Sequence, residues 1–253
     1  MAPKFVEGAP YWVDLSATDV SASVEFYSRL FGWEATDTGP DSGHYTWLSH
    51  EGDLVAAIGS SFIPEPTPQW MLYFKTEALW DRTKAIEAAG GLVRMPPADV
   101  FDQTSIAQFT DPAGAPFAVS QPGTHTGAQK WGEPGSVCWV ELHVRQPEPS
   151  MSFYQRVFGW GMRMMSDTNY PLLTTDDQSD FFGGLEVDEY TSTPPHWSVY
   201  FGVPDCDATA ERAVALGGRI LSEPHSIPSI GRWTTLADPA GTRFRAFTGH
   251  QPA

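Results

Sequence analysis

Phe26-Tyr27-Ser28-Arg29-Leu30-Phe31-Gly32-Trp33 has a second copy further along the same chain, Phe153-Tyr154-Gln155-Arg156-Val157-Phe158-Gly159-Trp160. The offset is 154 − 27 = 127 residues, and it recurs well outside the octet. It relates Trp12 to Trp139, Trp70 to Trp197, Gly90-Gly91 to Gly217-Gly218, and Asp111-Pro112-Ala113-Gly114 to Asp238-Pro239-Ala240-Gly241. One spacing held across most of each half marks a tandem duplication.

Working outward from the first octet, Val20, Val24, Tyr27 and Phe31 recur at helical spacing. Thr18 and Asp19 can cap that helix, and Gly32 ends it. Tyr11-Trp12-Val13-Asp14-Leu15 before it alternates like a strand, and short strands are expected after it around 33–36, 45–49 and 54–58. The Pro-rich stretch 63–68 is a connector, after which the plan repeats. A strand at 70–75 leads to a helix from about 77 to 89, stopped by Gly90-Gly91. Strands at 105–110 and 116–120 are joined by the Asp-Pro-Ala-Gly turn, with Asp first, Pro second and Gly fourth as in a type I turn. Each half is therefore strand–helix–strands twice over, an α+β pattern. The expected domains are 1–122 and 137–253, joined by the Gly- and Pro-rich linker 123–136.

The chain has 253 residues, 41% hydrophobic and 13% aromatic, which is enough for two packed cores. Fifteen basic and 31 acidic residues give a net charge of −16, which repels phosphate backbones and anionic membranes. A nucleic-acid or membrane partner is not expected. The two cysteines, Cys138 and Cys206, are too few for a disulfide framework and read as small buried hydrophobes. Neither an apolar signal core nor a long apolar run is seen, so the expected location is cytoplasmic.

Period-two sorting separates two faces of each central strand. Cys138, Val140, Leu142 and Val144 form the set that faces the helices, leaving Trp139, Glu141 and His143 on the other face, with Trp12, Asp14 and Ser16 as their counterparts. In the same way Trp197, Val199, Phe201 and Val203 pack, while Ser198 and Tyr200 face away, matched by Met71 and Tyr73. In the last strand Phe244 and Ala246 pack opposite Arg243, Arg245 and Phe247, whose first-half equivalents are Pro116, Ala118 and Ser120. Aromatic and ionisable residues together on these second faces point to ligand cavities inside curled sheets.

On the motifs Asp19, Phe26-Tyr27, Phe31-Gly32-Trp33, Gly90-Gly91 and Asp111-Pro-Ala-Gly114 with their copies, the chain resembles the vicinal oxygen chelate superfamily. That group includes glyoxalase I, bleomycin-resistance proteins and extradiol dioxygenases. The resemblance implies two glyoxalase-like domains built from four βαβββ modules, forming open half-barrel sheets with helices on the outside. It also implies where metal-binding members take His, Gln or Glu ligands. Those positions fall here on Trp12, Met71 and Ala118, and on Trp139, Ser198 and Arg245, with a fourth near Ala57 or Gly184. None of these side chains suits a divalent ion, so no metal and no cofactor are expected. A relocated site from Glu141, His143 and His196 is the remaining metal alternative.

Glu141 and His143 are the best acid–base pair in the chain. Beside Trp139 in a dry cavity, Glu141 can have a raised pKa and act as a base; alternatively it pairs with Arg243 or Arg245 and holds the sheet together. Asp14 in the matching place argues for the structural role. Catalytic candidates are Glu141, His143 and Arg245; ligand-binding candidates are Trp139, Tyr200, Ser198, Arg243, Trp12, Asp14 and Tyr73. His44, His50, His125, His225 and His250 are expected in turns or linkers, and no phosphate loop, nucleophile elbow or dinucleotide fingerprint is present. The expected function is metal-independent acid–base tailoring of a small, largely apolar, aromatic or polyketide-like molecule, by a monomer or homodimer. The alternatives are a non-catalytic drug-sequestering protein of the bleomycin-resistance kind and a metal-dependent lyase or dioxygenase.

Overall fold

The computed structural model describes residues 5–61, 67–165, 170–175, 181–189, 192–228 and 230–249. His250 and residues 63–66 of the Pro-rich connector lie outside the described residues.

The first half contains β1 (Pro10–Ala17), α1 (Val20–Phe31), β2 (Glu34–Asp37), β3 (Thr46–His50) and β4 (Asp53–Ser60), then β5 (Gln69–Lys75), α2 (Leu79–Ala88), β6 (Leu92–Val100), β7 (Thr104–Thr110) and β8 (Pro116–Pro122). The second half repeats this order as β9 (Val137–Val144), α3 (Pro147–Phe158), β10 (Gly161–Met164), β11 (Pro171–Thr174), β12 (Phe181–Val187), β13 (His196–Gly202), α4 (Cys206–Ala215), β14 (Arg219–Ile227), β15 (Gly231–Ala237) and β16 (Arg243–Gly249). Asp19 caps α1 by accepting from Ala22 N at 2.9 Å, and Gly32 closes it with φ 74°. That conformation is cheap only for glycine, which explains why the octet carries glycine at this point.

Each half forms one open, mixed eight-stranded sheet. In the first the order is β2-β3-β4-β1-β5-β8-β7-β6, and the second has the same order from β10 to β14. The two modules of a half meet where β1 pairs antiparallel with β5, or β9 with β13. Parallel pairing of β1 with β4 and of β5 with β8 places each helix across one face. The helices lie on the side away from the cups, as the pattern required.

The helix-bearing faces of both halves share a single core. Phe31 of α1 packs on Phe201 and Phe244 of the second sheet, while Phe74 of β5 packs on Trp160 and Trp197. Two chains of hydrogen bonds stitch the halves reciprocally. Trp70 Nε1 donates to the Tyr27 hydroxyl at 3.1 Å, and Tyr27 donates across to Asp238 at 3.2 Å. Trp197 Nε1 donates to the Tyr154 hydroxyl at 3.0 Å, which in turn bonds Asp111. The repeated Trp, Tyr and Asp of the sequence are the members of these chains. Each turn acid is half of a domain contact besides closing its own hairpin.

The segment 123–136 lies along the first sheet, with Ala128 N donating to Tyr11 O and Gln129 N to Leu54 O. Cys206 is buried and Cys138 half-buried, both as free thiols. Among the described residues no helix is long and apolar enough to cross a membrane.

Candidate functional site

Both cups are built on one plan. The first centres on Asp14 in β1, whose partners across the sheet are Ala57 of β4 and Met71 of β5. Its carboxylate is 5% exposed and accepts on Oδ2 from the Tyr73 hydroxyl at 2.9 Å and the Tyr45 hydroxyl at 3.1 Å. Trp12 Nε1 reaches the Tyr45 hydroxyl at 3.4 Å, and the Trp12 ring stands edge-on to Trp47 and to His125. These groups wall a cavity of about 760 Å³. Burial drives the Asp14 carboxyl up, the two hydroxyl donors offset it only in part, and its pKa is raised to about 7. Burial likewise lowers His125 to about 4, so the ring is neutral.

The second cup centres on Glu141 of β9, with Gly184 and Ser198 across the sheet. Tyr200 donates to it at 2.8 Å, and Tyr170, which also receives Trp139 Nε1 at 3.3 Å, bonds its other oxygen. Two groups without first-cup equivalents join here. Arg245 Nη1 lies 2.8 Å from Glu141 Oε2 and also bonds the Tyr200 hydroxyl. His143 Nε2 comes within 2.7 Å of the same carboxylate, though off the line of a good hydrogen bond. The cavity is about 540 Å³ and includes His196, His225, Trp233 and Arg243.

The raised pKa expected for Glu141 is not found. Burial alone would raise it, but the His143 contact and the Arg245 charge outweigh burial and hold it down at about 2. Glu141 is ion-paired with Arg245; Arg243 instead reaches Thr193 at 3.4 Å. The Tyr170 and Tyr200 hydroxyls, buried beside that carboxylate, are both raised.

Of the other expected residues Ser198 and Arg243 line the second cup's cavity, whereas Trp139, like Glu141, is not among its described lining residues. Trp139 is half-buried beside Phe181, and Ser198 Oγ lies 3.3 Å from His196 Nε2. His143 and His196 are stacked, ring centroids 4.7 Å apart and 9° from parallel. Burial, and then the neighbouring His143, lower His196 to about 4. Two parallel stacked imidazoles cannot both aim an in-plane lone pair at one ion, so Glu141, His143 and His196 do not form a metal site. At the positions where family ligands would fall stand Trp12, Met71, Ala118, Trp139, Ser198 and Arg245, a set that does not fit a divalent ion. Among the described residues no group of three or more His, Cys, Asp or Glu could hold one.

Several site residues escaped the sequence reading. Tyr45 and Tyr170 precede β3 and β11, where the offset is 170 − 45 = 125, so the 127-residue register skips them. Tyr11 reaches the cup side because the β1–β5 register slips between Pro10 and Trp12, and its hydroxyl bonds Ser120. His125 was expected in the linker away from any site, but the linker folds back and seats its ring against Trp12 and Trp47. His225 is in β14, not a turn, with its ring 4.1 Å from Trp233, and His50 ends β3. A tyrosine just ahead of each third strand was the one legible signal.

The family model described as the Glyoxalase/Bleomycin resistance protein/Dioxygenase superfamily matches residues 11–119, and a Glyoxalase-like domain model matches 139–247. The chain belongs to this superfamily. Among its relatives, the anthracycline biosynthesis protein DnrV of Streptomyces peucetius is 40% identical over 95% of this chain and 93% of that protein. The putative glyoxylase CFP32 of Mycobacterium tuberculosis is 36% identical over 95% of each. The fold is shared with a Mn(II)-bound glyoxalase from Novosphingobium aromaticivorans, at TM-score 0.63 and 18% identity over 96% of this chain and 82% of the other. It is shared as well with 2,2',3-trihydroxybiphenyl 1,2-dioxygenase from Sphingomonas wittichii, at TM-score 0.65 and 13% identity over 97% and 92%. Glyoxalase-type sheets in this superfamily member are thus retained around cups whose central groups are an acid, two tyrosines and a tryptophan.

Proposed function

We propose that this protein binds a fused-ring, largely apolar aromatic molecule of polyketide type in its cups and tailors it by acid–base chemistry without a metal ion. The observation that carries this is the first cup, where Trp12, Trp47 and Tyr45 wall one buried acid, Asp14, in a cavity of about 760 Å³. Flat aromatic faces bind flat ligands, and a single buried polar group orients them. The substrate class is supported by the relative named for anthracycline biosynthesis. The side chains standing at the family's ligand positions support the metal-free part.

A second reading, sequestration without chemistry, is favoured by the second cup. Glu141, expected as a base, is held ionised by Arg245 and is a poor proton acceptor near neutral pH. On our reading Glu141 there fixes Arg245 and Tyr200 in place, and His143 beside it is the group left to relay a proton.

The test is titration of chelator-treated protein with a hydroxyanthraquinone, followed by quenching of tryptophan fluorescence. Saturable quenching that added Mn²⁺ or Zn²⁺ leaves unchanged is expected. Binding that appears only with metal would overturn the metal-free reading. Ligand recovered unaltered after prolonged incubation would favour sequestration.

A further inference from the structure

We propose that Asp14, with Tyr45 and Tyr73, makes the first cup a proton-transfer site that enolises a fused-ring aromatic ketone lying against Trp12 and Trp47. This rests on the aromatic-ligand reading above and adds which cup works, through which atom, and in what kind of step.

The geometry leaves one oxygen of Asp14 free for a ligand. Both tyrosine hydroxyls donate to Oδ2, and among the described residues nothing donates to Oδ1. Asp14 lines the cavity, so Oδ1 is the atom a ligand can meet. The aromatic wall is on the same side: Trp12 is two residues away on the same face of β1, edge-on to Trp47 at 5.5 Å.

The surroundings set the charge. Ala57 of β4, Met71 and Tyr73 of β5, and Ala118 of β8 stand on the cup face around Asp14, and Tyr45 covers it. Among the described lining residues there is no lysine or arginine. His125, seated against Trp12 and Trp47, is neutral, the Tyr11 hydroxyl is turned to Ser120, and Asp41, Asp99 and Asp102 line the same cavity. In the second cup Arg245 and His143 occupy the places that Ala118 and Ser16 hold here. The first cup is therefore the one whose acid can both take and return a proton near neutrality, consistent with its pKa of about 7.

The step balances without a further reagent. Ionised Asp14 removes a proton through Oδ1 from a carbon next to the ketone or, as in anthrone, from the ring methylene conjugated to the ketone through the flanking aromatic rings. The C–H electron pair becomes the new carbon–carbon double bond, and the carbonyl pair moves onto oxygen as an enolate. Asp14, now neutral, returns the proton to that oxygen or to another ring carbon. Nothing is oxidised or reduced. Tyr45 and Tyr73 position the carboxylate by holding Oδ2.

The test uses the full chain and anthrone, a three-ring ketone with one enolisable methylene, in deuterium oxide. Tryptophan quenching reports binding, and loss of the methylene proton signal by NMR reports exchange. The expected result is accelerated exchange by the wild type that rises with pH through about 7. Asp14→Asn is expected to lose the acceleration by about 100-fold or more while still quenching, Tyr73→Phe to move the pH profile upward without abolishing exchange, and Lys84→Ala, on the exposed side of α2, to keep it. The proposal is overturned if Asp14→Asn exchanges like the wild type, or if wild type binds anthrone without accelerating exchange. Absence of any quenching by wild type would sink the aromatic-ligand reading itself. If Asp14→Asn does not fold, carbon-13 titration of labelled aspartates in the wild type decides: no carboxyl titrating near 7 overturns the proposal.

Discussion

Arg245 Nη1 lies 2.8 Å from Glu141 Oε2, and the matching place in the first cup, opposite Tyr73, holds Ala118. That difference, together with His143 in the place of Ser16, gives the two matching acids different charge behaviour at neutral pH. Glu141 is fixed as an anion, and Asp14 is poised to change.

Removing the cation alone is therefore expected to be costly. Arg245→Met leaves a buried carboxylate uncompensated and should destabilise the fold by about 3 kcal/mol in denaturant titration at pH 7. Adding Glu141→Gln should recover most of the loss. A double variant no better than the single one would show that Arg245 stabilises through packing and not through its charge.

Stability should depend on pH in two opposite limbs. The Glu141 pKa is depressed from 4.5 to about 2, so its contribution is present above about 4.5 and lost as pH falls toward 2. The Asp14 pKa is raised from 3.8 to about 7, so its protonated form in the native state costs stability progressively as pH rises from about 4 to 7. Asp14→Asn cannot ionise, and its stability relative to wild type should improve by about 2 kcal/mol between pH 5 and pH 8. A constant difference across that range would place the Asp14 titration elsewhere.

The two tryptophans should contribute unequally to ligand binding. Trp12 stands against Trp47 and His125 in the larger cup, whereas Trp139 stands edge-on to Phe181 at 6.1 Å and bonds the Tyr170 hydroxyl. Trp12→Ala should weaken anthrone binding by about tenfold, on the scale of one lost aromatic contact, and Trp139→Ala should have a smaller effect. Isothermal titration of both variants checks the order, and the reverse order would move the site to the second cup.

Because one core serves both halves, thermal unfolding should be a single calorimetric transition. Tyr27→Phe, which removes the donor to Asp238 and the acceptor of Trp70, should lower stability by about 1–3 kcal/mol without splitting the transition. Two resolved peaks in the wild type would contradict a shared core.

Much of this architecture was legible from the sequence because it lay in helix-spaced apolar residues, strand alternation and a repeated offset. Asp19, Gly32 and the Asp-Pro-Ala-Gly turns were readable from local chemistry alone. The faces of β9, β13 and β16 followed from period two, which placed Glu141, His143, Tyr200 and Arg245 together. The charge state of Glu141 was not legible, because it depends on which of two nearby arginines reaches it. Tyr45 and Tyr170 were missed where the register contracts by two residues, Tyr11 where β1 slips, and His125 where a segment read as a spacer turns back into the cup.

The crossed Trp–Tyr–Asp chains have an evolutionary consequence. All their members lie on the helix side, so the assembly is held by residues that never meet a ligand. A single unit would need a second copy to satisfy the same bonds, and the tandem repeat supplies that copy within one polypeptide. Once fused, either cup could exchange its polar groups without loosening the joint, and Ala118 against Arg245 is the trace of that freedom.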